Sequence, residues 1–231
     1  MAPPGDQSRA LKRAVFVHGA GGGGWEFRYW IARFERRGWQ CSALDLQPLE
    51  AGLAATRFAE YLRQVATWSA EPCVLIGASL GGMLALMAPS PLALVLVNCL
   101  PPGHGSSHPE IVRWAGAPLQ ETLDALPDGD RDTALWAAGR WRDESGRVLE
   151  EAARQGPRRP ECPILAVIGG SDMDVTPERS REFAQELGAD VLEYPGMSHL
   201  GPLMGRRRDE VADEVLHWLS AHISERMPQN P

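Results

Sequence analysis

A serine with the surroundings of a nucleophile lies in the stretch "GASLG", residues 77–81, which has the spacing G-x-S-x-G. An apolar run at residues 73–76 precedes it and a helical pattern at residues 80–87 follows, so Ser79 stands where a strand turns directly into a helix. Small residues two positions before and after the serine let strand and helix pass closely around a strained turn. We therefore expect the Ser79 hydroxyl to be exposed at the end of a strand, with the N–H of Leu80 directed to where an oxyanion forms.

A glycine-rich loop at residues 19–24 follows the first apolar run and has two interpretations. Gly19, Gly21 and Gly24 have the spacing G-x-G-x-x-G of a dinucleotide-binding loop, and Asp45 stands about 20 residues further on, where an acid would bind a ribose. In the other interpretation, the N–H groups of this loop face a reacting atom instead of a pyrophosphate.

The composition limits the chemistry that this chain can carry. With 23 basic and 30 acidic side chains the net charge is −7, which disfavours nucleic acid or an anionic membrane as the main partner. Lys12 is the only lysine, and none of the three tyrosines has a lysine four positions on, so we expect neither pyridoxal nor short-chain reductase chemistry. The four cysteines have no C-x-x-C pair and no His-Glu-x-x-His motif occurs, so we predict free thiols, no metal and no cofactor.

The N-terminal stretch contains no apolar segment of the kind that directs secretion. No apolar run in the sequence approaches the length of about 18 residues that a membrane span needs. We therefore predict a cytoplasmic protein that acts on a small molecule. Nothing in the sequence marks an oligomer interface.

Short apolar runs alternate with helical patterns along the chain. The strand-like runs are residues 14–18, 41–46, 73–76, 92–99, 164–168 and 191–194. The helical patterns between them are residues 25–37, 55–68, 80–87, 177–187 and 209–223. This alternation predicts an α/β fold in which a mostly parallel six-stranded sheet has helices on both faces. Such a sheet brings its functional loops together at the carboxyl ends of its strands.

One segment, residues 101–161, interrupts the alternation. It has helical patterns but no convincing strand, and prolines and glycines stand at both of its seams. The helical patterns are residues 119–126, 134–141 and 147–154. We predict that residues 101–161 form a helical cap inserted in a core of residues 1–100 and 162–231. Its tryptophans, Trp114, Trp136 and Trp141, either pack the insertion against the sheet or line a substrate pocket.

Over nearly the whole chain, from residue 14 to about residue 223, the sequence resembles the α/β-hydrolase superfamily. Five stretches carry the resemblance, in order: "HGAGGGGW" after the first strand, "ALDL" at the end of the second, "GASLGG", "IGGSD" at the end of the fifth and "GMSHLGP" after the sixth. The first two, together with "SLGGM", are most similar to the methylesterase and hydroxynitrile lyase branch. The insertion stands where that fold carries its cap.

The resemblance favours one interpretation of the glycine-rich loop. In that family the His-Gly loop supplies the second oxyanion donor, which by position is the N–H of Ala20, and the glycines let the chain turn close to the nucleophile. His18 is then a packing and hydrogen-bonding residue and not the catalytic base. Because only a hydrolase explains all five motifs in order, we favour it over a dinucleotide site.

The resemblance also implies a base and an acid. The family order of serine, acid and histidine puts the base at His199 in "PGMSHLGP" and the acid in "IGGSDMDVTP". That stretch offers both Asp172 and Asp174. We favour Asp172, which lies three residues past Gly169 as members of this fold usually have it, whereas Asp174 suits the cap of a helix that begins near Pro177.

The function that these residues favour is a cofactor-independent serine hydrolase, which cleaves a small or medium carboxylic ester or thioester through an acyl-enzyme on Ser79. One alternative is a lyase or another C–C or proton-abstracting enzyme on the same scaffold. The related hydroxynitrile lyases depend on a lysine near the pocket. Because Lys12, the only lysine, stands in the N-terminal tail, a hydroxynitrile lyase is disfavoured. A second alternative is a non-catalytic small-molecule receptor. The presence of all three residues of a Ser-Asp-His set argues against this alternative. Leucines and tryptophans of the insertion favour an apolar acyl or alcohol group.

Overall fold

Eight strands lie in the part of the chain that the computed structural model describes, residues 12–104, 107–156 and 158–223. They are β1 Lys12–Val17, β2 Trp39–Ala43, β3 Val74–Ala78, β4 Ala93–Val97, β5 Ile111–Val112, β6 Glu144–Ser145, β7 Ile164–Gly169 and β8 Asp190–Tyr194. Six of them form one sheet in the order β2-β1-β3-β4-β7-β8, and every neighbouring pair is parallel. The predicted α/β fold with a six-stranded parallel sheet is confirmed.

Helices cover both faces of this sheet. They are α1 Arg28–Arg36, α2 Phe58–Trp68, α3 Leu80–Met87, α4 Leu119–Ala125, α5 Arg131–Ala138, α6 Gly146–Ala153, α7 Pro177–Leu187, α8 Gly201–Met204 and α9 Arg208–His222, with 3₁₀ turns at Gly24–Phe27 and Leu53–Ala55. Within the described ranges, no helix combines the length and the apolar character that a bilayer crossing requires.

The core consists of two main layers, one on each face of the sheet. Because successive side chains of a strand point to opposite faces, β1 directs Phe16 into one layer and Val17 into the other. The first layer contains the buried faces of α1 and α9, and the second those of α2, α3 and α7. The strands β3 and β4 are buried along their whole length. This two-sided burial is why the sequence shows them as continuous apolar runs.

The second strand ends earlier than the sequence suggests. The apolar pattern predicts a strand over residues 41–46, but β2 ends at Ala43 and the next three residues form a loop. In this loop Leu46 is buried and its N–H donates to His18 Nε2 at 2.9 Å, while Leu44 is about half exposed. The apolar side chain at Leu46 therefore packs a loop beside the sheet, and the pattern alone does not distinguish this from a longer strand.

The insertion, residues 101–161, leaves the sheet after β4 and returns before β7. It contains α4, α5 and α6, in agreement with the predicted helical patterns. The expectation that it adds no strand is wrong, because β5 and β6 pair antiparallel, Ile111 with Ser145 and Val112 with Glu144. Strands of two residues are too short to leave an alternating pattern in the sequence.

Candidate active site

Ser79 lies in the turn between β3 and α3 with φ of 50° and ψ of −119°. A residue with a side chain adopts such a backbone only where its surroundings enforce it. A Cβ atom at Gly77 would lie 2.2 Å from the carbonyl oxygen of Gly81, and a Cβ atom at Gly81 would lie 2.1 Å from that of Val17. The strand and the helix thus approach too closely for any side chain at either glycine, and this close packing holds the serine turn.

His199 follows β8, and its imidazole is paired with the acid that follows β7. His199 Nδ1 and Asp172 Oδ2 are 2.7 Å apart. Asp172 is buried, and its other oxygen accepts the N–H groups of Asp174 at 2.8 Å and Val175 at 2.9 Å. Both carboxylate oxygens of Asp172 are therefore used, which fixes the orientation of the imidazole. Since a carboxylate only accepts, Nδ1 carries the proton and Nε2 is left as the basic nitrogen.

Asp174, the alternative acid, stays outside this pair. Its side chain is exposed at the cavity, and the hydrogen bond to the imidazole comes from Asp172. The cap of α7 is Thr176, whose hydroxyl oxygen accepts the N–H of Arg179, so Asp174 does not cap this helix either. The geometry brings Asp172 to the histidine.

The charge of the neighbouring acids acts on the protonation of His199. Burial of the ring lowers its pKa, but the hydrogen bond and the charge of Asp172, together with the charges of Asp174 and Glu26, outweigh burial and raise the pKa above the usual 6.5. An imidazolium is therefore stabilised in this site. That is the electrostatic environment a histidine needs when it takes a proton from a serine.

The two amides predicted to hold an oxyanion are those of Ala20 and Leu80. Within the described residues, neither N–H donates to a protein acceptor. Leu80 begins α3, where the first amides of a helix have no partner in the helix. The loop with Ala20 lies directly against the serine turn, since a Cβ atom at Gly19 would be 3.4 Å from Ser79 Cβ. The arrangement suits two donors that converge beside the hydroxyl of Ser79.

Two buried carboxyl groups hold the amides on either side of Ala20. Gly19 N–H donates to Glu26 Oε2 at 3.2 Å, and Gly21 N–H donates to Glu144 Oε2 at 3.2 Å. Glu26 comes from the 3₁₀ turn before α1, whereas Glu144 belongs to β6 of the insertion. The position of this loop thus depends on both the core and the insertion.

Arg142 of the insertion also binds the glycine-rich loop. The backbone N–H of Arg142 donates to the carbonyl oxygen of Gly21 at 2.7 Å, and its side-chain Nε donates to the carbonyl oxygen of Gly22 at 2.7 Å. Its Nη2 lies 3.0 Å from His18 Nε2. Neither Arg142 nor Glu144 was predicted, because nothing near them in the sequence relates them to a loop more than a hundred residues away.

His18 is buried against the glycine-rich loop and forms hydrogen bonds to the backbone, as predicted for a packing residue. Its Nδ1 is 2.8 Å from the carbonyl oxygen of Gly19, and its Nε2 accepts the N–H of Leu46. Burial lowers the pKa of His18 to about 4, so the ring is neutral. Asp45, the acid of the dinucleotide interpretation, accepts the N–H of Gly24 at 2.8 Å. The carboxylate that a ribose would need therefore already accepts a hydrogen bond from the backbone of the glycine-rich loop.

A cavity of about 420 Å³ is lined by Ser79 and His199. Residues of the insertion and of the sheet edge both contribute to its wall, which is mostly apolar. Three acids also line it: Glu26, Glu121 and Asp174. Of these, Glu26 is buried, with 3% of its surface exposed, and sequence reasoning missed it. The available signal was a lone acid inside the aromatic stretch "GWEFRYW".

Two of the three predicted pocket tryptophans reach this cavity. Trp114 and Trp141 line it, but Trp136 does not. The ring of Trp136 packs edge-on against Trp25, with ring centroids 5.5 Å apart, and the guanidinium of Arg140 lies over its face. Trp136 therefore packs the insertion against the core, the other role that the sequence allowed.

One group of side chains has the spacing of metal ligands. Asp172, Asp174 and His199 offer ligand atoms within 4.8 Å of one another. Both oxygens of Asp172 already accept hydrogen bonds, and one of these comes from His199. A cation would have to break the Asp172–His199 pair, so this donor set suits a proton-transfer pair better than a metal site.

Known proteins are similar to this chain in sequence pattern and in fold. Residues 14–214 match the family model for the alpha/beta hydrolase family. No curated protein sequence is significantly similar to the chain. A methylesterase from Arabidopsis is similar in structure with a TM-score of 0.75 and 14% identity, over 91% of this chain and 100% of that chain. Polyneuridine aldehyde esterase has a TM-score of 0.70 and 20% identity, over 90% of this chain and 99% of that chain. A pyrethroid hydrolase from Sphingobium faniae has a TM-score of 0.70 and 18% identity, over 91% of this chain and 98% of that chain.

Proposed function

Because the chain belongs to the alpha/beta hydrolase family, we propose that it is a cofactor-independent serine hydrolase that cleaves a small or medium carboxylic ester or thioester. The observation that carries the proposal is the pair of His199 Nδ1 and Asp172 Oδ2, 2.7 Å apart, beside a cavity that Ser79 also lines. An oriented imidazole next to a serine on a strained turn is the arrangement that activates a hydroxyl for acyl transfer.

In the first half of the reaction, the oxygen of Ser79 attacks the carbonyl carbon of the ester. His199 Nε2 takes the hydroxyl proton, and the N–H groups of Ala20 and Leu80 hold the negative oxygen of the tetrahedral intermediate. The bond to the alcohol or thiol then breaks, and the leaving group takes the proton from His199. An acyl group remains on Ser79.

In the second half, a water molecule gives a proton to His199 Nε2 and attacks the same carbonyl carbon. The carboxylic acid leaves, and the proton returns from His199 to the Ser79 oxygen. Asp172 keeps its charge throughout, since its role is to hold the Nδ1–H tautomer and to stabilise the imidazolium.

The cavity supports a small or medium substrate. Its volume of about 420 Å³ lies at the lower end of the range for small-molecule sites. Its wall is mostly apolar, which favours an apolar acyl or alcohol group. Trp114 and Trp141 are the side chains of the insertion that we propose to contact it, with residues 101–161 acting as the cap.

Labelling with a fluorophosphonate probe tests this function directly. The probe reacts with an activated serine, so wild-type protein should be labelled and Ser79→Ala should not. Ser171→Ala is the matched control, because Ser171 is an exposed serine beside Asp172 and its variant should be labelled like wild type. A panel of p-nitrophenyl esters and thioesters of increasing chain length then measures turnover.

The results separate the proposed function from its alternatives. Labelling that survives Ser79→Ala would refute the nucleophile. A protein that is not labelled at all would be a receptor, and one that is labelled but cleaves neither ester nor thioester would be a lyase-type enzyme.

A further inference from the structure

Glu26 presents a buried carboxyl group to the cavity, and one of its oxygens has no partner among the described residues. Oε2 accepts the N–H of Gly19, whereas Oε1 accepts no hydrogen bond from any residue in the described ranges. Oε1 lies beside Gly22, where a Cβ atom would come within 1.6 Å of it. Oε1 is therefore left as an acceptor for a donor, and the cavity that Glu26 lines can hold one.

This carboxyl group lies close to the reacting atoms. The position of a Cβ atom at Gly19 is 3.4 Å from Ser79 Cβ and 3.9 Å from Glu26 Oε2, so both side chains lie within contact distance of this single position. Glu26 also lies near enough to His199 for its charge to raise the pKa of the imidazole. A substrate bound at Ser79 therefore contacts or closely approaches Glu26.

The cavity has three acids in its wall and no described arginine or lysine. Glu121 and Asp174 line it together with Glu26, and its other titratable groups are the imidazoles of His104, His108 and His199. Besides His199, the cation whose charge acts on Glu26 is Arg142, and its guanidinium already donates to the carbonyl oxygens of Gly22 and Leu46. A negatively charged group in the substrate would approach Glu26 with no arginine or lysine of the described residues in the cavity wall to pair with it.

We propose that Glu26 is a specificity-determining residue, which binds a hydrogen-bond donor in the larger part of the ester and rejects a negative charge there. The inference rests on the proposed hydrolysis at Ser79. The substrate class is then a neutral or cationic ester that carries an N–H or O–H group and has no carboxylate or phosphate.

Three methyl esters that differ only at the far carbon of the acyl chain test the inference. They are methyl pentanoate, methyl 5-amino-5-oxopentanoate and monomethyl glutarate, which end in a methyl, an amide and a carboxylate group. Since methanol is the common leaving group, the acyl chain is the part that occupies the cavity. At pH 8 we expect kcat/KM for the amide to exceed that for the carboxylate by about tenfold or more, because the carboxylate approaches Glu26 without a counter-ion.

Glu26→Gln removes the charge but keeps an oxygen that can accept the N–H of Gly19. It should lower the amide-to-carboxylate ratio by about tenfold at pH 8. Glu121→Gln is the matched control, because it removes one exposed carboxylate from the same cavity and should leave the ratio within about twofold. An unchanged ratio in Glu26→Gln, or an equal change in Glu121→Gln, would overturn the inference.

The pH dependence of this ratio provides a second test. Burial raises the pKa of Glu26 to about 7, and the charges that act on it are those of His199, Arg142 and Asp45. The other titratable groups of the same cavity are Glu121, Asp174, His104 and His108. Glu26 becomes charged as the pH rises through about 7, so the ratio in wild type should be larger at pH 8 than at pH 6. The part of this difference that Glu26 causes is the part that Glu26→Gln lacks. The titration of His199 cancels in the ratio, because both esters use the same base.

Fluorophosphonate labelling distinguishes a failure of the inference from a failure of the proposed function. If Glu26→Gln is labelled but the ratio stays constant with variant and pH, the serine hydrolase stands and the role of Glu26 is refuted. If wild type is not labelled, the proposed function itself is wrong.

Discussion

Replacing Asp172 by Asn changes the tautomer of His199 while it keeps the local fold. Oδ1 of Asp172 accepts two backbone N–H groups, from Asp174 and Val175, and only an oxygen can do so. The side-chain amide of the variant must therefore put its oxygen at this position and its NH₂ group 2.7 Å from His199 Nδ1. Since an NH₂ group donates, Nδ1 becomes the acceptor and the proton moves to Nε2, where it blocks the base.

The expected loss is large because the change removes the base and not merely its partner. By comparison with the same change in other Ser-His-Asp sites, kcat should fall by about 10⁴-fold, which corresponds to about 5 kcal/mol in the barrier. Initial rates of ester hydrolysis measure it, and thermal unfolding checks that the fold is kept. Asp174→Asn is the matched control, because its exposed carboxylate makes no bond to the imidazole. An Asp172→Asn variant within tenfold of wild type, or a greater loss in Asp174→Asn, would refute this assignment.

Four further predictions concern the pH profile, the serine turn, the pocket and the insertion. Because hydrolysis needs neutral His199 and its neighbours raise its pKa, kcat/KM should fall on the acid side with a midpoint above 6.5; a midpoint below 6.5 contradicts this. Gly81→Ala should lower the free energy of unfolding by about 2 kcal/mol or more in denaturant titrations, whereas Gly139→Ala, with open space at its Cβ position, should not. Trp114→Ala should lower kcat/KM for longer acyl chains by about tenfold, while Trp136→Ala should reduce thermal stability and leave the chain-length preference as it is. Glu144→Ala should lower kcat by about tenfold through loss of its bond to Gly21, but Tyr61→Phe, which removes only the hydroxyl bonded to Glu144, should retain nearly full turnover.

The sequence predicted those features that local patterns determine. Pro177–Leu187 forms a helix over the predicted range, because Thr176 caps its start, Pro177 fits its first turn and Gly188 adopts the left-handed backbone that ends it. The parallel sheet was also predicted from a local pattern, the alternation of short apolar runs with helical ones along the sequence. The choice of Ser79, His199 and Asp172 came from motif order in the family that the sequence resembles. The structure pairs His199 with Asp172 beside a cavity that Ser79 lines, and the catalytic role of the three stays a prediction.

The features that the sequence did not predict depend on contacts between distant residues. β5 and β6 are too short for periodicity, and their pairing joins residues that are more than thirty positions apart. Trp136 and Trp141 both pack edge-on against Trp25, with ring centroids 5.5 Å and 4.8 Å away, yet only Trp141 also lines the cavity. Glu26 is missed because an acid near the start of a helix is usually a solvated residue, and only the fold shows that this one is buried.

The N–H of Ala20, which we propose as the second oxyanion donor, is positioned by two parts of the chain that are distant in sequence. Ala20 lies between Gly19, held by Glu26 of the core, and Gly21, held by Glu144 of the insertion. A glycine-rich loop has little conformational preference of its own, so these two carboxyl groups, with Arg142, must supply the order that the loop lacks. Any movement of β6 away from the core would release Gly21 and let the Ala20 N–H turn from the cavity. If residues 101–161 act as the cap that we propose, the insertion that encloses the substrate also sets the geometry of the proposed oxyanion site.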